Sequence, residues 1–129
     1  QILGWQPDEV VKQYMAHAKG FVYAACEDFG IALVEAQACG TPVIAYDAGG
    51  AKETVRDIRT WGETGTGILF EEQKEASLIG AIETLEASYS KFIPEYVRSH
   101  AEQFKRQIFA QRYLEFLQTC IEKKFSKCM

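Results

Sequence analysis

Two glutamates separated by seven residues are the feature of this sequence best suited to chemistry. Glu27 follows the apolar run 21–25, and Glu35 lies in a stretch of helical character that begins just after Gly30. A carboxylate accepts hydrogen bonds from neighbouring hydroxyls, and a hydrogen bond to a charged group contributes about 1.5–3 kcal/mol. We therefore interpret both side chains as ligands for sugar hydroxyls, with a solvated structural role as the alternative for each.

Gly30 marks the expected start of that helix, where the first amide groups have no partner within the helix. Glycine allows a ligand to approach the backbone closely. The N–H groups of Gly30 and Ile31, together with the positive end of the helix dipole, would form a site for an anion. A diphosphate has the required charge, so the pattern indicates a ligand that carries both phosphates and sugar hydroxyls.

Apolar runs and helical patterns alternate along the chain and must position these groups. Strands are expected at residues 1–3, 21–25, 43–46 and 68–70, and helices near residues 8–19, 31–39, 51–57, 74–88, 94–104 and 106–124. Such alternation predicts an α/β fold, a Rossmann-like parallel sheet with helices on both faces and a helical C-terminal tail. The loops at 4–6, 26–30 and 47–50 would then share the sheet edge where ligands bind.

The wider motif resembles family 4 of the GT-B glycosyltransferases. It comprises Glu27-Asp28-Phe29-Gly30, then Glu35-Ala36, the strand entry Gly40-Thr41-Pro42-Val43 and the turn Gly49-Gly50, in the order and spacing of that family. The resemblance spans most of residues 2–85, and the tail 92–116 resembles a subgroup described as mannosyltransferases. It implies the C-terminal half of a two-domain enzyme, with residues 1–90 as the nucleotide-sugar domain and 91–129 as helices packed on it or on the other half.

The resemblance also implies roles for individual residues. Glu35 would hold the donor ribose and Glu27, as the catalytic residue, would contact the transferred hexose, for which the subgroup suggests mannose. The amides around Phe29, Gly30 and Ile31 would meet the sugar and diphosphate. Gly4 would lie near the base, and Gly49 and Gly50 would complete the donor site. Transfer to a glycan or lipid-linked acceptor would retain the anomeric configuration, with no cofactor and no obligatory metal.

One departure from the family concerns the charge of the donor site. The basic residues with which the family neutralises the diphosphate would lie upstream of Gln1, as would the N-terminal half with its acceptor site. We therefore expect little or no transfer by this chain alone. Asp28 stands where many members of the family carry glycine. The aspartate reduces the range of backbone conformations that this loop can adopt.

Composition limits the partners and the location. The net charge is −4, and the basic residues are scattered or lie in the C-terminal helices, so we expect no binding of nucleic acid. Cys26, Cys39, Cys120 and Cys128 show no metal-binding spacing and are interpreted as buried or unpaired thiols of a reducing compartment. We expect a cytoplasmic protein, with peripheral association of the full enzyme at the inner face of a membrane as an option.

Some side chains have a structural interpretation. His17 and His100 are expected to be packed or surface residues, and the aromatic residues from Phe92 to Phe125 to pack in a core.

Two other classes of protein remain open. A GT-B sugar-nucleotide epimerase would share the cleft but is not expected to carry this pair of glutamates with this continuation. A non-catalytic flavodoxin-like interaction module of the response-regulator type would need an acidic cluster after its first strand and an aspartate after its third. We do not find that set in the sequence.

Overall fold

Three short parallel strands form the centre of the structure, a computed structural model that describes the backbone of residues 1–126 and the side chains of residues 1–124. The strands are β1 (Phe21–Tyr23), β2 (Val43–Tyr46) and β3 (Gly67–Phe70), in the spatial order β1-β2-β3. Val43 pairs with Phe21 on one side and with Gly67 on the other. The parallel arrangement brings the carboxyl ends of all three strands to one edge.

Helices and strands alternate, as the sequence pattern predicts. The helices are α1 (Asp8–His17), α2 (Ile31–Ala38), α3 (Ala51–Thr54), α4 (Ile58–Trp61), α5 (Glu75–Ser88), α6 (Pro94–Glu102) and α7 (Arg106–Ser126), with 3₁₀ turns at Gly62–Thr64 and Tyr89–Lys91. Pro94 occupies the first turn of α6, where its missing N–H costs nothing.

The sheet is covered on both faces, which confirms the Rossmann-like α/β prediction. On one face Ile44 packs in a cluster with Ala81 and Leu85 of α5. On the other face Val43 packs with Met15 of α1 and with Leu33 and Ala36 of α2. Fully burying an aliphatic side chain stabilises the fold by about 1.5–3 kcal/mol. Successive apolar side chains of β2 point to opposite faces of the sheet. Their burial on both faces therefore fixes β2 between the two helical layers.

Four local expectations are wrong. Residues 1–3 form no strand, since none of the strands in the described part of the chain pairs with them, and β1 ends at Tyr23 instead of residue 25. The stretch 58–64, which lies between the expected helix 51–57 and the expected strand 68–70 and is assigned to neither, forms α4 and a 3₁₀ turn because the carboxylate of Asp57 caps α4 by accepting the N–H of Arg59. The third helix ends at Thr54, before the expected residue 57.

The C-terminal tail divides into two parts. Helix α6 packs against α2, and Phe92 and Val97 are buried. In α7 the side chains of Phe109, Tyr113 and Phe116 are 64%, 52% and 63% exposed, so the expected core packing of these aromatic residues is wrong. Phe109 and Tyr113 line an open cavity beside Phe29 and Phe104 instead of an enclosed core. The side chain of Phe125 and the whole of Cys128 lie outside the described residues.

Candidate functional site

The loop of residues 27–30, here called the donor loop, connects the end of β1 to α2. The side chain of Glu27 is exposed and accepts a hydrogen bond from the Tyr23 hydroxyl. This bond is the main cause that raises the pKa of Tyr23, with burial and the negative charge of Glu27 adding to it. The tyrosine therefore stays protonated and holds the carboxylate at the carboxyl end of β1.

A cavity of about 340 Å³ opens beside the donor loop. It is lined by Tyr23, by all four residues of the loop and by the first turn of α2, Ile31–Leu33. Within the described part of the chain, no lysine or arginine lines it. Glu27 thus shares one cavity with the start of α2, as the sequence predicts, in an acidic setting.

Backbone geometry leaves the leading amides of α2 free. Gly30 has φ +79°, a left-handed conformation that favours glycine, and its carbonyl accepts the N–H groups of Leu33 and Val34. Among the described residues, none accepts a hydrogen bond from the N–H of Phe29, Gly30 or Ile31. Unpaired amides at the positive end of a helix dipole are suited to bind an anion.

The turn Gly49-Gly50 packs directly against the donor loop. The N–H of Gly50 donates to the carbonyl of Glu27 at 2.7 Å. A Cβ atom on Gly50 would overlap the backbone of Phe29, and one on Gly49 would overlap the carbonyl of Glu27. Glycine is therefore required at both positions for the two loops to meet.

Glu35 lies on a different part of the surface. Its exposed side chain lines a second cavity, of about 390 Å³, between α1 and α2, together with Asp8, Val11, Lys12 and Cys39. The structure thus brings Glu27, Phe29, Gly30, Gly49 and Gly50 together and places Glu35 further along α2 without a shared cavity. Its assignment to a ribose stays a prediction.

Gly4 also lies apart from the donor loop. It has φ +64° in an exposed segment in which Trp5 is 87% exposed. No described contact links Gly4 to either cavity, and its role near a base stays a prediction. The thiols of Cys26, Cys39 and Cys120 are unpaired, which confirms that interpretation for these three.

A buried polar contact between His100 and Thr54 lies near the donor loop, and the sequence does not predict a connection between this contact and the candidate site. His100 is 7% exposed, and its Nε2 atom lies 3.0 Å from the carbonyl of Thr54 at the end of α3. The expectation of a packed His100 is confirmed. The spacing Val97, His100, Ala101 and Phe104 would place His100 on the buried face of α6, but the sequence does not show which loop lies behind it.

Two kinds of feature are absent from the described residues. No helix there is long and apolar enough to cross a membrane. No group of three or more histidine, cysteine, aspartate or glutamate residues forms a metal site in that part of the chain.

Sequence comparison finds a family model that matches most of the chain. The model described as "Glycosyl transferases group 1" matches residues 1–106. The D-inositol 3-phosphate glycosyltransferase of Rhodococcus erythropolis is 35% identical over 111 residues, which cover 84% of this chain and 24% of that protein. That of Acidothermus cellulolyticus is 41% identical over 76 residues, 59% of this chain and 16% of the relative. The chain spans about a quarter or less of the length of these relatives.

Solved structures share the fold. Sucrose-phosphate synthase from Thermosynechococcus elongatus superimposes with a TM-score of 0.74 at 27% identity, covering 95% of this chain and 30% of that one. Anabaena Alr3699/HepE in complex with UDP-glucose superimposes with a TM-score of 0.60 at 29% identity, covering 83% and 29%. The same Anabaena protein in complex with UDP gives a TM-score of 0.66.

Proposed function

Because this chain belongs to the glycosyl transferases group 1 family, we propose that it is the donor-binding part of a retaining glycosyltransferase that moves a hexose from a nucleotide-diphosphate sugar to an acceptor. The observation that carries this proposal is the set of unpartnered N–H groups at the start of α2, in the same cavity as the carboxylate of Glu27. Within that cavity the N–H groups suit a phosphate and the carboxylate suits the hydroxyls of a sugar.

Each group would act at a stated place. The N–H groups of Gly30 and Ile31 would hold the diphosphate and stabilise the negative charge that grows on it as the bond to the sugar breaks. The Glu27 carboxylate would accept hydrogen bonds from the transferred sugar. Glu35 would hold the ribose, which requires the nucleotide to extend from the donor loop along α2 to the second cavity.

The identity of the sugar is the finer part of the proposal. The resemblance of the tail favours mannose, whereas the complexes of the Anabaena protein hold UDP and UDP-glucose. We propose a hexosyl donor and test both sugars. The acceptor would be a glycan or a lipid-linked saccharide, and the names of the curated relatives add D-inositol 3-phosphate as a second acceptor to assay.

The proposal also covers the metal requirement of the reaction and the cellular location of the enzyme. Transfer would need no metal ion, so that activity would persist in the presence of EDTA. The enzyme would act in the cytoplasm, with any membrane contact made by the full protein at the inner face.

The test compares binding of nucleotides and sugar nucleotides by calorimetry in the full-length protein. Glu35→Gln should weaken binding of UDP or GDP itself, by about 10- to 100-fold, because a neutral amide replaces the charged acceptor and hydrogen bonds to a charged group are the stronger ones. Glu27→Gln should leave nucleotide affinity in place and remove the additional affinity that the sugar of UDP-glucose or GDP-mannose contributes.

The matched control is Glu83→Gln, at an exposed glutamate of α5. It should change neither affinity. If Glu27→Gln and Glu35→Gln also leave both affinities unchanged in folded protein, the site assignment is wrong. Conversion of the sugar nucleotide to an epimer, without transfer to any acceptor, would instead identify an epimerase.

A further inference from the structure

His100 is the one histidine among the described residues that is buried, and both of its ring nitrogens are occupied. Nε2 lies 3.0 Å from the carbonyl oxygen of Thr54, so this nitrogen carries the proton and donates it. Nδ1 lies 2.8 Å from Nε2 of Gln103 and accepts a hydrogen bond from that amide. The same amide nitrogen donates to the carbonyl of His100 at 3.0 Å, which fixes its orientation.

The neutral form of the His100 ring, with one nitrogen as donor and one as acceptor, therefore fits its two hydrogen-bond partners. Burial is the main cause that lowers the pKa of His100, the hydrogen bond to Thr54 raises it, and the positive charge of Arg56 lowers it further. The neutral imidazole connects α6 to the end of α3 through its hydrogen bond to the carbonyl of Thr54.

One series of contacts connects this ring to the donor loop through edge-to-face pairs of aromatic rings. The imidazole meets the ring of Phe104 edge-on, with centroids 5.6 Å apart and an angle of 83°. Phe104 in turn meets the ring of Phe29 edge-on, at 5.7 Å and 82°. Phe29 is the residue that precedes Gly30, so this branch ends at the amides that start α2.

A second branch reaches the same loop through hydrogen bonds. The hydroxyl of Thr54 donates to the carbonyl of Gly50 at 2.9 Å. The N–H of Gly50 donates to the carbonyl of Glu27 at 2.7 Å. The two branches therefore hold the donor loop at two residues, one at Glu27 and the other at Phe29.

We infer that His100 is a positioning residue that sets the donor loop through Phe104 and through Thr54 and Gly50. The inference rests on the proposed function, because the loop matters for transfer only if it reads the sugar and diphosphate of the donor. A catalytic group has to be held within a fraction of an ångström of its productive place, and that place is set by the residues packed behind it.

The experiment measures two properties of the full-length protein and its variants His100→Leu, His100→Gln and Phe104→Leu. The first is kcat for transfer from UDP-glucose or GDP-mannose, at saturating donor and at a temperature where each variant is folded. The second is hydrogen–deuterium exchange of the backbone amides of Leu33, Val34 and Gly50, which are hydrogen-bonded to the carbonyls of Gly30 and Glu27 in the donor loop; this measurement needs no ligand. His17→Leu is the matched control, because His17 is an exposed histidine of α1.

His100→Leu and Phe104→Leu should lower kcat by about tenfold, since small misplacements of reacting groups are costly. The amides of Leu33, Val34 and Gly50 should also exchange about tenfold faster than in wild type, while the amides of β2 keep their protection. His100→Gln retains a donor for the Thr54 carbonyl but no ring for Phe104. Its kcat and exchange should lie between those of wild type and His100→Leu.

Unchanged kcat and unchanged exchange in folded His100→Leu and Phe104→Leu would overturn the inference. A uniform rise in exchange over the whole chain would also overturn it, because it shows a loss of global stability alone. If His100→Leu does not fold, His100→Gln and Phe104→Leu decide by the same criteria. If the wild-type protein transfers sugar from none of the donors, the proposed function is wrong. The exchange measurement would still show whether His100 positions the donor loop.

Discussion

At the residue scale, Asp57 shows how one buried carboxylate fixes the geometry near the sheet edge. It accepts the backbone N–H of Arg59 at 2.8 Å, the guanidinium of Arg59 at 2.9 and 2.6 Å, and the backbone N–H of Leu69 at 2.8 Å. Burial raises the pKa of Asp57, but the hydrogen bonds from Arg59 and Leu69 and the charge of Arg59 together hold it below its usual value of 3.8. The charged carboxylate thus joins α4 to β3.

Replacing this carboxylate should destabilise the protein in a pH-dependent way. Asp57→Ala should lower the free energy of unfolding at pH 7 by about 1–3 kcal/mol, from the lost helix cap and the unpaired N–H of Leu69. Because the folded-state pKa is lowered, the contribution is present above the unfolded value of 3.8 and is lost as pH falls through the folded value. Urea unfolding at pH 7 and at pH 3 measures the difference.

The control is Glu102→Gln, which removes an exposed ion pair with Lys105 and should have little effect. An equal loss of stability for Asp57→Ala at both pH values would contradict the ionic role of Asp57.

At the element scale, the approach of the Gly49-Gly50 turn to the donor loop gives the second prediction. Gly50→Ala places a Cβ atom against the backbone of Phe29, which has no flexible side chain to move aside. We expect the variant to lose about 1–3 kcal/mol of stability and, in folded protein, the additional affinity of the sugar of UDP-glucose.

Gly80→Ala is the matched control, because Gly80 lies exposed in α5 with no atom within 4 Å of an added Cβ. It should raise the free energy of unfolding by about 0.5–1 kcal/mol, since alanine loses less backbone entropy in a helix. Equal stability of Gly50→Ala and wild type would show that the two loops separate easily.

The sequence predicts the elements better than their contacts. β2 and the start of α2 at Ile31 were predictable because a buried run and a glycine before a helix are local signals. The packing of Gly50 against Phe29 was not, since it joins segments about 20 residues apart through space. The strand expected at residues 1–3 failed because pairing requires a neighbour that residue types do not reveal.

At the scale of the whole molecule, α7 carries a large exposed apolar surface. Leu114, Phe116 and Ile121 are 59%, 63% and 54% exposed, next to the exposed rings of Phe109 and Tyr113. Large exposed apolar surfaces are typical of places where another protein or a further segment packs. The family match ends at residue 106, where α7 begins, so the tail was the part that the resemblance constrained least.

The charge of the donor cavity gives the last prediction, which concerns the chain by itself. Glu27 and Asp28 make the cavity acidic, and none of its described lining residues is a lysine or arginine to balance the charge that develops on a departing diphosphate. Stabilising such charge usually contributes more to catalysis than any other single effect, and the α2 dipole alone contributes only about 0.3–1 kcal/mol. Residues 1–129 expressed alone should therefore bind UDP or GDP weakly and transfer no sugar, whereas on the proposed function a full-length protein that contains them should transfer it. Radiolabelled transfer with both proteins in parallel measures this, and turnover by residues 1–129 near that of the full-length protein would show that the charges needed for catalysis already lie within this chain.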